Sequence, residues 1–507
     1  MLFLNRLSAS AETLPHSAGW FRAWWFAACI SVPLFAALLL ALLEPQTTTL
    51  ALYELLLWGS FVPSLWILDR GPLLDPLQSG AILFYFWFGV GPVAVLLWAH
   101  ATGSFAEAWE RQQPGIPALP FVAAGLLFYA AGASLAMRFL RRFRVLLPPL
   151  GAGLDRFEGK SLLAFWGIGL AIVAMLRLLP LAGIQGVTEI NFLGGTRTDI
   201  WWVGLLAAAA RILLLANLVA ITSIVQPRFR TLPCLALLGG LILASQLVMS
   251  LRSGWKGAFM FPLFYVVVAW LSRRQRPPVI AIGAIVAVFL LFVEPFVSAA
   301  RAVATARGAE STPDRIAVFQ EVLSDFVRGE RPGGDNASWN RANPEILFRG
   351  IFPVAGETIR RGHFFGGPWG GATLVRGVLG FIPRALFPEK PDMDVGHFFA
   401  TEIGVDVGWI NPKDETTSIA ITIPAEVAGN FGTAAGILSF GALGALWALI
   451  VAAALGPEPT SHPLNPLFVG LTLLFEAPFG AFLAVLRDLV MTYIVVFCVW
   501  LARGRRL

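Results

Sequence analysis

Charge is what this sequence is short of. Only 13% of its 507 residues are Asp, Glu, Lys or Arg, where a soluble globular domain carries roughly 25%. That deficit excludes a soluble enzyme, a disordered chain and a coiled coil. Cysteine is scarce as well. Cys29, Cys234 and Cys498 all sit in apolar runs and read as small buried hydrophobes, so neither a disulfide framework nor a cysteine metal site is expected. There is no Walker A loop, no HExxH pair or Cys/His array and no GxSxG elbow, which argues against ATP, zinc and serine-hydrolase chemistry. What is plentiful is apolar: 57% hydrophobic residues and a mean hydropathy of +0.72, with 18 Trp, 40 Phe, 50 Gly and 34 Pro. Aromatic girdles and Gly/Pro inside apolar spans are membrane-protein habits. The net charge of +6 then concerns topology and an anionic lipid or substrate, not nucleic acid.

A helix crosses a bilayer with about 20 mostly apolar residues. About twelve segments qualify, at roughly 23–43, 50–68, 79–99, 118–138, 161–183, 203–225, 232–250, 258–272, 279–298, 432–455, 467–486 and 489–502. The first has too long an apolar run, and no small-residue cleavage site, for a cleavable signal peptide. Basic residues crowd the short segments on one side, as in Arg138, Arg141, Arg142 and Arg144, or Arg273, Arg274 and Arg276, or Arg503, Arg505 and Arg506. The short segments on the other side hold Arg111, Arg197, Arg252, Lys256 and Arg487. The positive-inside rule places both termini in the cytoplasm, which an even number of spans also requires. The expected fold is therefore an all-α polytopic membrane protein in three parts: spans one to nine over 1–298, one large outer loop over 299–423, and spans ten to twelve over 424–507. The loop combines helical patterns at Pro313–Val327 and Thr373–Phe381 with Gly/Pro turns, and its 13 basic and 15 acidic residues nearly cancel. A loop this long and this aromatic reads as functional. The chain shows no tandem repeat.

Three clusters could carry chemistry. The first is Ser250-Leu251-Arg252-Ser253-Gly254-Trp255-Lys256-Gly257, an outer hairpin with two cations between small residues. Arg grips a phosphate through two parallel hydrogen bonds and Lys adds a point charge; the plainer reading is a tight turn whose cations snorkel to headgroups. The second is Arg376 with Phe381–Pro391, where three prolines stiffen a segment presenting Arg384 and Lys390; the plainer reading is an interfacial segment on anionic lipid. The third joins Thr416-Thr417-Ser418 to Pro424–Gly432, with Glu426 just ahead of the tenth span. An ionisable group at such a place is a functional candidate, or else a helix-start carboxylate met by the macrodipole. Asn430 and Gly432 are placed to let that helix bend or open. Further charges lie in or beside spans: Glu54, Arg177, Arg211, Glu294, Glu476, Arg487 and Asp488, with Arg301 on the outer rim; for these, structural pairing is as good a reading as catalysis. His363 and His397 stand alone, and Asp392-Met393-Asp394 is a weak metal motif on an acidic loop.

Pro383-Arg384, Phe387-Pro388-Glu389-Lys390-Pro391, Thr417-Ser418 and Glu426…Asn430-Phe431-Gly432…Gly436, behind the Ser250–Gly254 hairpin, together resemble the Wzy-type polymerases of O-antigen and exopolysaccharide repeat units. The likeness has motif-level detail over about 240–440, and the first 200 residues match only as a multispan scaffold. It implies a GT-C-like fold in the bacterial inner membrane with a periplasmic loop. It also implies a donor glycan on undecaprenyl pyrophosphate, inverting transfer of the growing chain without a metal or other cofactor, and room for a chain-length regulator protein as partner. The related O-antigen ligases share the architecture and rely on a loop histidine, a place His363 or His397 would fill. In physical terms the departing pyrophosphate gains negative charge, and fixed cations lower the barrier where water is excluded. Arg252, Lys256, Arg376, Arg384 and Lys390 are the expected clamp, and Glu426 the base or orienter of the acceptor hydroxyl. Trp255, Trp369, Arg211, Arg301, His397, Ser418 and Asn430 are expected around the substrate. A transporter of lipid-linked sugars would favour repeats and paired broken helices, neither of which the sequence announces; a non-enzymatic export scaffold would tolerate loss of Arg252 or Arg384.

Overall fold

A computed structural model describes residues 31–68, 75–143, 166–172, 174–175, 239–244, 312–328, 351–362, 369–382, 395–407, 419, 421–456 and 465–487, with scattered positions between 237 and 303 and at 387 and 490. The described residues are helical and contain no strand. Four helices are long and apolar enough to cross a membrane: Pro45–Leu68, Pro76–Thr102, Ala118–Leu140 and Thr433–Leu455. The described part is thus built as an α-helical polytopic membrane protein. These four coincide with the second, third, fourth and tenth expected spans, and the first and eleventh correspond to the shorter apolar helices Ser31–Leu43 and Leu467–Glu476. The other six expected spans fall wholly or largely outside the described residues.

In chain order, α1 is Ser31–Leu43 and α2 is Thr48–Leu68, entered through a 3-10 turn that starts on Pro45. Asp75 opens α3, Pro76–Thr102: its carboxylate accepts from the Leu77 N–H at 2.7 Å, and Pro76 sits where no donor is needed. Midway, α3 widens into a π-helical turn at Phe86–Val90, immediately before Gly91-Pro92. Pro92 has no N–H for the normal i→i−4 ladder, which accounts for an irregular turn at this point. The amphipathic α4, Phe105–Gln112, and a 3-10 turn at Gln113–Gly115 lead into α5, Ala118–Phe143.

Further along the chain come α6, Thr312–Arg328, α7, Ile351–Arg361, α8, Ala372–Phe381, and α9, Val395–Phe399, which continues as a π-helical turn to Gly404. The α6 and α8 helices match the expected patterns; α7 was not expected. A short α10, Ile423–Phe431, precedes α11, Thr433–Leu455. Gly432 separates them with φ 92°, a backbone state that side chains disfavour. Then α12, Asn465–Leu471, tightens into a 3-10 turn at Thr472–Glu476 and breaks at Ala477-Pro478 before α13, residues 479–487. The expected continuous span over 467–486 is therefore corrected to a discontinuous helix. Pro478 explains it, since a proline disfavours helix in the residue before it.

The core is held by close packing, not by charge. The α5 and α11 helices approach through small residues: a β-carbon on Gly132 would strike the Gly441 carbonyl oxygen, the kind of backbone proximity on which membrane helices rely. Phe84, Tyr129, Phe440, Trp447 and Phe475 interlock between α3, α5, α11 and α12. Tyr129 donates to the Leu77 carbonyl and Trp447 to that of Pro76, so both polar tips find partners in the core. The loop that carries α7 to α9 builds a second apolar cluster of its own from Val354, Val395, Phe399, Ile403, Ile419 and Ile421. Its α7 helix is buried from Ile351 to Ile359 and lies on the Gln113–Gly115 turn and on α10. The loop thereby caps the end of the bundle where α3 stops and α5 and α11 begin.

Candidate functional site

The site is built on α10. Thr422 caps the helix, its hydroxyl accepting from Ala425 N–H, and Pro424 occupies its first turn. Glu426 follows in that turn, yet its carboxylate does not cap its own helix. One oxygen, Oε2, accepts at 2.6 Å from the Phe479 N–H, the opening donor of α13 beyond the Ala477-Pro478 break. The other, Oε1, has no hydrogen-bond partner, and Glu426 is 0% exposed. The first turn of a helix favours a negative charge through its free N–H groups. Burial pushes the Glu426 carboxyl up to about 7, with the Phe479 N–H and the Thr373 hydroxyl holding it back from a larger rise.

Asn430, one turn further along, fixes this arrangement. Its Oδ1 accepts from Gly371 N–H at 2.9 Å, and its amide donates to Thr373 Oγ1 at 2.7 Å and to the Glu426 carbonyl at 2.8 Å. Sequence reasoning assigned Asn430 to bending; in the structure it ties α10 to the start of α8, and Gly432 makes the bend. The far end of α8 is held by Arg487, which donates to the Gly380 carbonyl at 3.1 Å, a cation at a helix C-terminus. Between them Gly377 and Gly480 let α8 and α13 touch backbone to backbone. Thus α8 is pinned over Glu426 at both ends.

Of the residues expected at the site, five lie among the described residues. Glu426 and Asn430 share α10. Trp369 covers Gly429 of that helix and meets Phe398 and Phe399 edge-on at 5.5 and 5.2 Å. Arg376 lies on the exposed side of α8, one turn from Thr373, between the exposed Val375 and Val378. His397 sits half-buried on α9 next to Phe398. Arg211, Arg252, Trp255, Lys256, Arg301, Arg384, Lys390 and Ser418 lie outside the described residues, as does His363. Thr373 and the Phe479 N–H were missed. Only Pro478, a breaker inside an apolar run, signalled the second; nothing in the sequence signalled the first.

Next to this site α7 carries a second buried carboxylate, Glu357. Arg360 donates to it through Nε and Nη2 at 2.6 and 2.5 Å, and Arg361 through Nε at 3.0 Å. Burial raises the Glu357 carboxyl, but the hydrogen bonds and charges of Arg360 and Arg361 outweigh it and hold the group below the usual carboxylate value. Arg361 also reaches the Glu402 carbonyl and pairs with Asp406, tying α7 to the turn after α9. Among the described residues no three or more of His, Cys, Asp and Glu are grouped as a metal site would need. Chemically, the site offers a proton acceptor tuned to neutrality, a rigid hydrogen-bonded frame around it and one exposed cation on the helix that covers it. No protein-family model, no curated protein and no solved structure matches the chain.

Proposed function

We propose that this protein is a GT-C-like membrane glycosyltransferase that polymerises undecaprenyl-pyrophosphate-linked oligosaccharide repeat units at the periplasmic face of a bacterial inner membrane. In this reading it has about twelve spans and both termini in the cytoplasm. The observation that carries it is Glu426: a fully buried carboxylate with one oxygen on the Phe479 N–H and the other uncommitted. The hydroxyl at the non-reducing end of one lipid-linked repeat attacks the anomeric carbon of the growing chain on another, with inversion. The bond from that carbon to the pyrophosphate oxygen breaks, undecaprenyl pyrophosphate leaves with the electron pair, and Glu426 takes the hydroxyl proton. A base works best when its proton affinity lies near the working pH, and Glu426 is raised to about 7. Arg376, with Arg252, Lys256, Arg384 and Lys390, receives the growing charge on the leaving group. Val375 and Val378 flank Arg376 in the open, a surface suited to a lipid headgroup above an apolar chain. Because α8 covers Glu426, admitting the acceptor displaces α8 along its Gly377–Gly480 contact.

The test is reconstitution of the purified protein with lipid-linked repeat unit. Longer chains without added nucleotide or metal are expected, and Arg376→Ala should slow their growth; unchanged growth in Arg376→Ala removes Arg376 from the clamp. The second reading is a transporter of lipid-linked sugars, favoured by the discontinuous α12–α13 helix, a device of transport proteins. In the same vesicles that reading gives lipid-linked sugar on the opposite leaflet and no chain growth.

A further inference from the structure

Inside the bundle, another buried carboxyl pairs with no cation among the described residues. Glu54, on α2, is 0% exposed, and neither of its oxygens has a hydrogen-bond partner. Its Oε1 lies against Gly89 in the π-helical turn of α3, and a β-carbon on Gly89 would come within 2.7 Å of it. Wide turns of this kind recur at functional positions in helices. The Tyr85 ring packs on the same glycine and stacks on Phe61 with centroids 4.3 Å apart. One turn along α2, the buried indole N–H of Trp58 also lacks a partner. Residues four apart share a helix face, so α2 presents two acceptors and a donor, all unused, beside an irregular stretch of α3. Buried polar atoms left unpaired mark a place where a proton, a water or an ion belongs.

The surroundings select the proton. On the elements packed against α2, α1 has no titratable residue. The α3 helix offers Tyr85, and His100 at its far end, which is paired with Glu44. The α5 helix offers Tyr129, which donates to the Leu77 carbonyl, and Arg138, Arg141 and Arg142 near its end. No ion pair reaches Glu54 among the described residues, and no group of three or more metal-ligating side chains lies there either. An ionised carboxylate so placed would have no counter-ion among the described residues, with the Tyr85 hydroxyl as the neighbouring donor.

We propose that Glu54, seated against Gly89 at the π-helical turn of α3, is a proton-binding site within the transmembrane bundle. The ligand is a single proton, carried as the neutral acid, with buried water linking it to the Trp58 indole. The site is separate from Glu426 and does not depend on the polymerase reading.

Infrared difference spectroscopy on the full-length protein in lipid nanodiscs tests it, wild type against Glu54→Gln. The expected result is a carboxylic-acid C=O band at neutral pH that shifts in D2O, is lost in Glu54→Gln and fades on alkaline titration. Beyond its midpoint the band should drop about tenfold per pH unit. Glu54→Gln, nearly isosteric with the neutral acid, should keep the wild-type Tm. A difference spectrum showing only an ionised carboxylate overturns the proposal, as does a band that sodium removes at constant pH. Failure of Glu54→Gln to fold, or a large fall in its Tm, also overturns it, because either would mean that a charge at Glu54 is needed.

Discussion

Glu357 and Glu426 are buried carboxyls on helices that touch, and the protein treats them in opposite ways. Glu357 receives three donors from Arg360 and Arg361. Glu426 receives no cation among the described residues, and its donors are the Phe479 N–H and the Thr373 hydroxyl, both neutral. Burial acts on both in the same direction, so the difference is whether a cation was supplied. With it, the carboxylate stays charged and braces Arg361, which ties α7 to the turn after α9. Without it, the carboxyl stays close to its protonation midpoint at neutral pH, which is useless for holding a fold together and suited to moving a proton.

Neutralising each group separates the two roles most sharply. Glu426→Gln should slow chain growth by about 100- to 10,000-fold, the usual worth of a positioned base, while leaving Tm unchanged or higher. Comparable growth by the variant would sink the assignment. The two carboxyls also act on stability with opposite signs of pH dependence. Glu426 is raised from 4.5 to about 7, so the folded state binds its proton more tightly than the unfolded state. Its contribution is intact below the unfolded value and falls as pH rises to about 7, by about 3 kcal/mol in all. Glu357 is depressed, so its contribution is present above the unfolded value and is lost on acidification. Thermal unfolding across pH should show the first slope vanish in Glu426→Gln and the second in Glu357→Gln.

Smaller effects come from the frames around the two groups. Asn430→Ala strands the buried Gly371 N–H and the Thr373 hydroxyl and should lower stability by about 2–3 kcal/mol. Chain growth should fall with it, since α8 and Glu426 lose their common anchor. Glu357→Gln should destabilise by only about 1–2 kcal/mol, because Arg360 is largely exposed and screened. Its chain growth at a permissive temperature should match wild type. Equal loss of activity in both glutamate variants would erase the distinction between tie and base.

Much of the scaffold could be read from hydropathy. The runs at 118–138 and 432–455 appear as Ala118–Phe143 and Thr433–Leu455, since a long apolar run leaves few alternatives to a span. The helical patterns at Pro313–Val327 and Thr373–Phe381 reappear as α6 and α8. The α7 helix was hidden because it carries Pro353 and Gly356, which lower helix propensity in a stretch of only eleven residues. The π-helical turn of α3 has no compositional signature, and the break at Ala477-Pro478 vanished into the mean hydropathy of its neighbours. At the site, Glu426 was visible as an ionisable group beside a span. Its partner was not, because a backbone N–H belongs to every residue and only the fold selects the one at Phe479.

The most direct measurement is the rate of chain growth on purified lipid-linked repeat unit, followed across pH for reconstituted wild type and Glu426→Gln. A wild-type rate that climbs with pH and levels off above about 7, against a variant that is flat and at least about 100-fold slower, is the predicted result. Chains that lengthen equally fast in both proteins at every pH would contradict it.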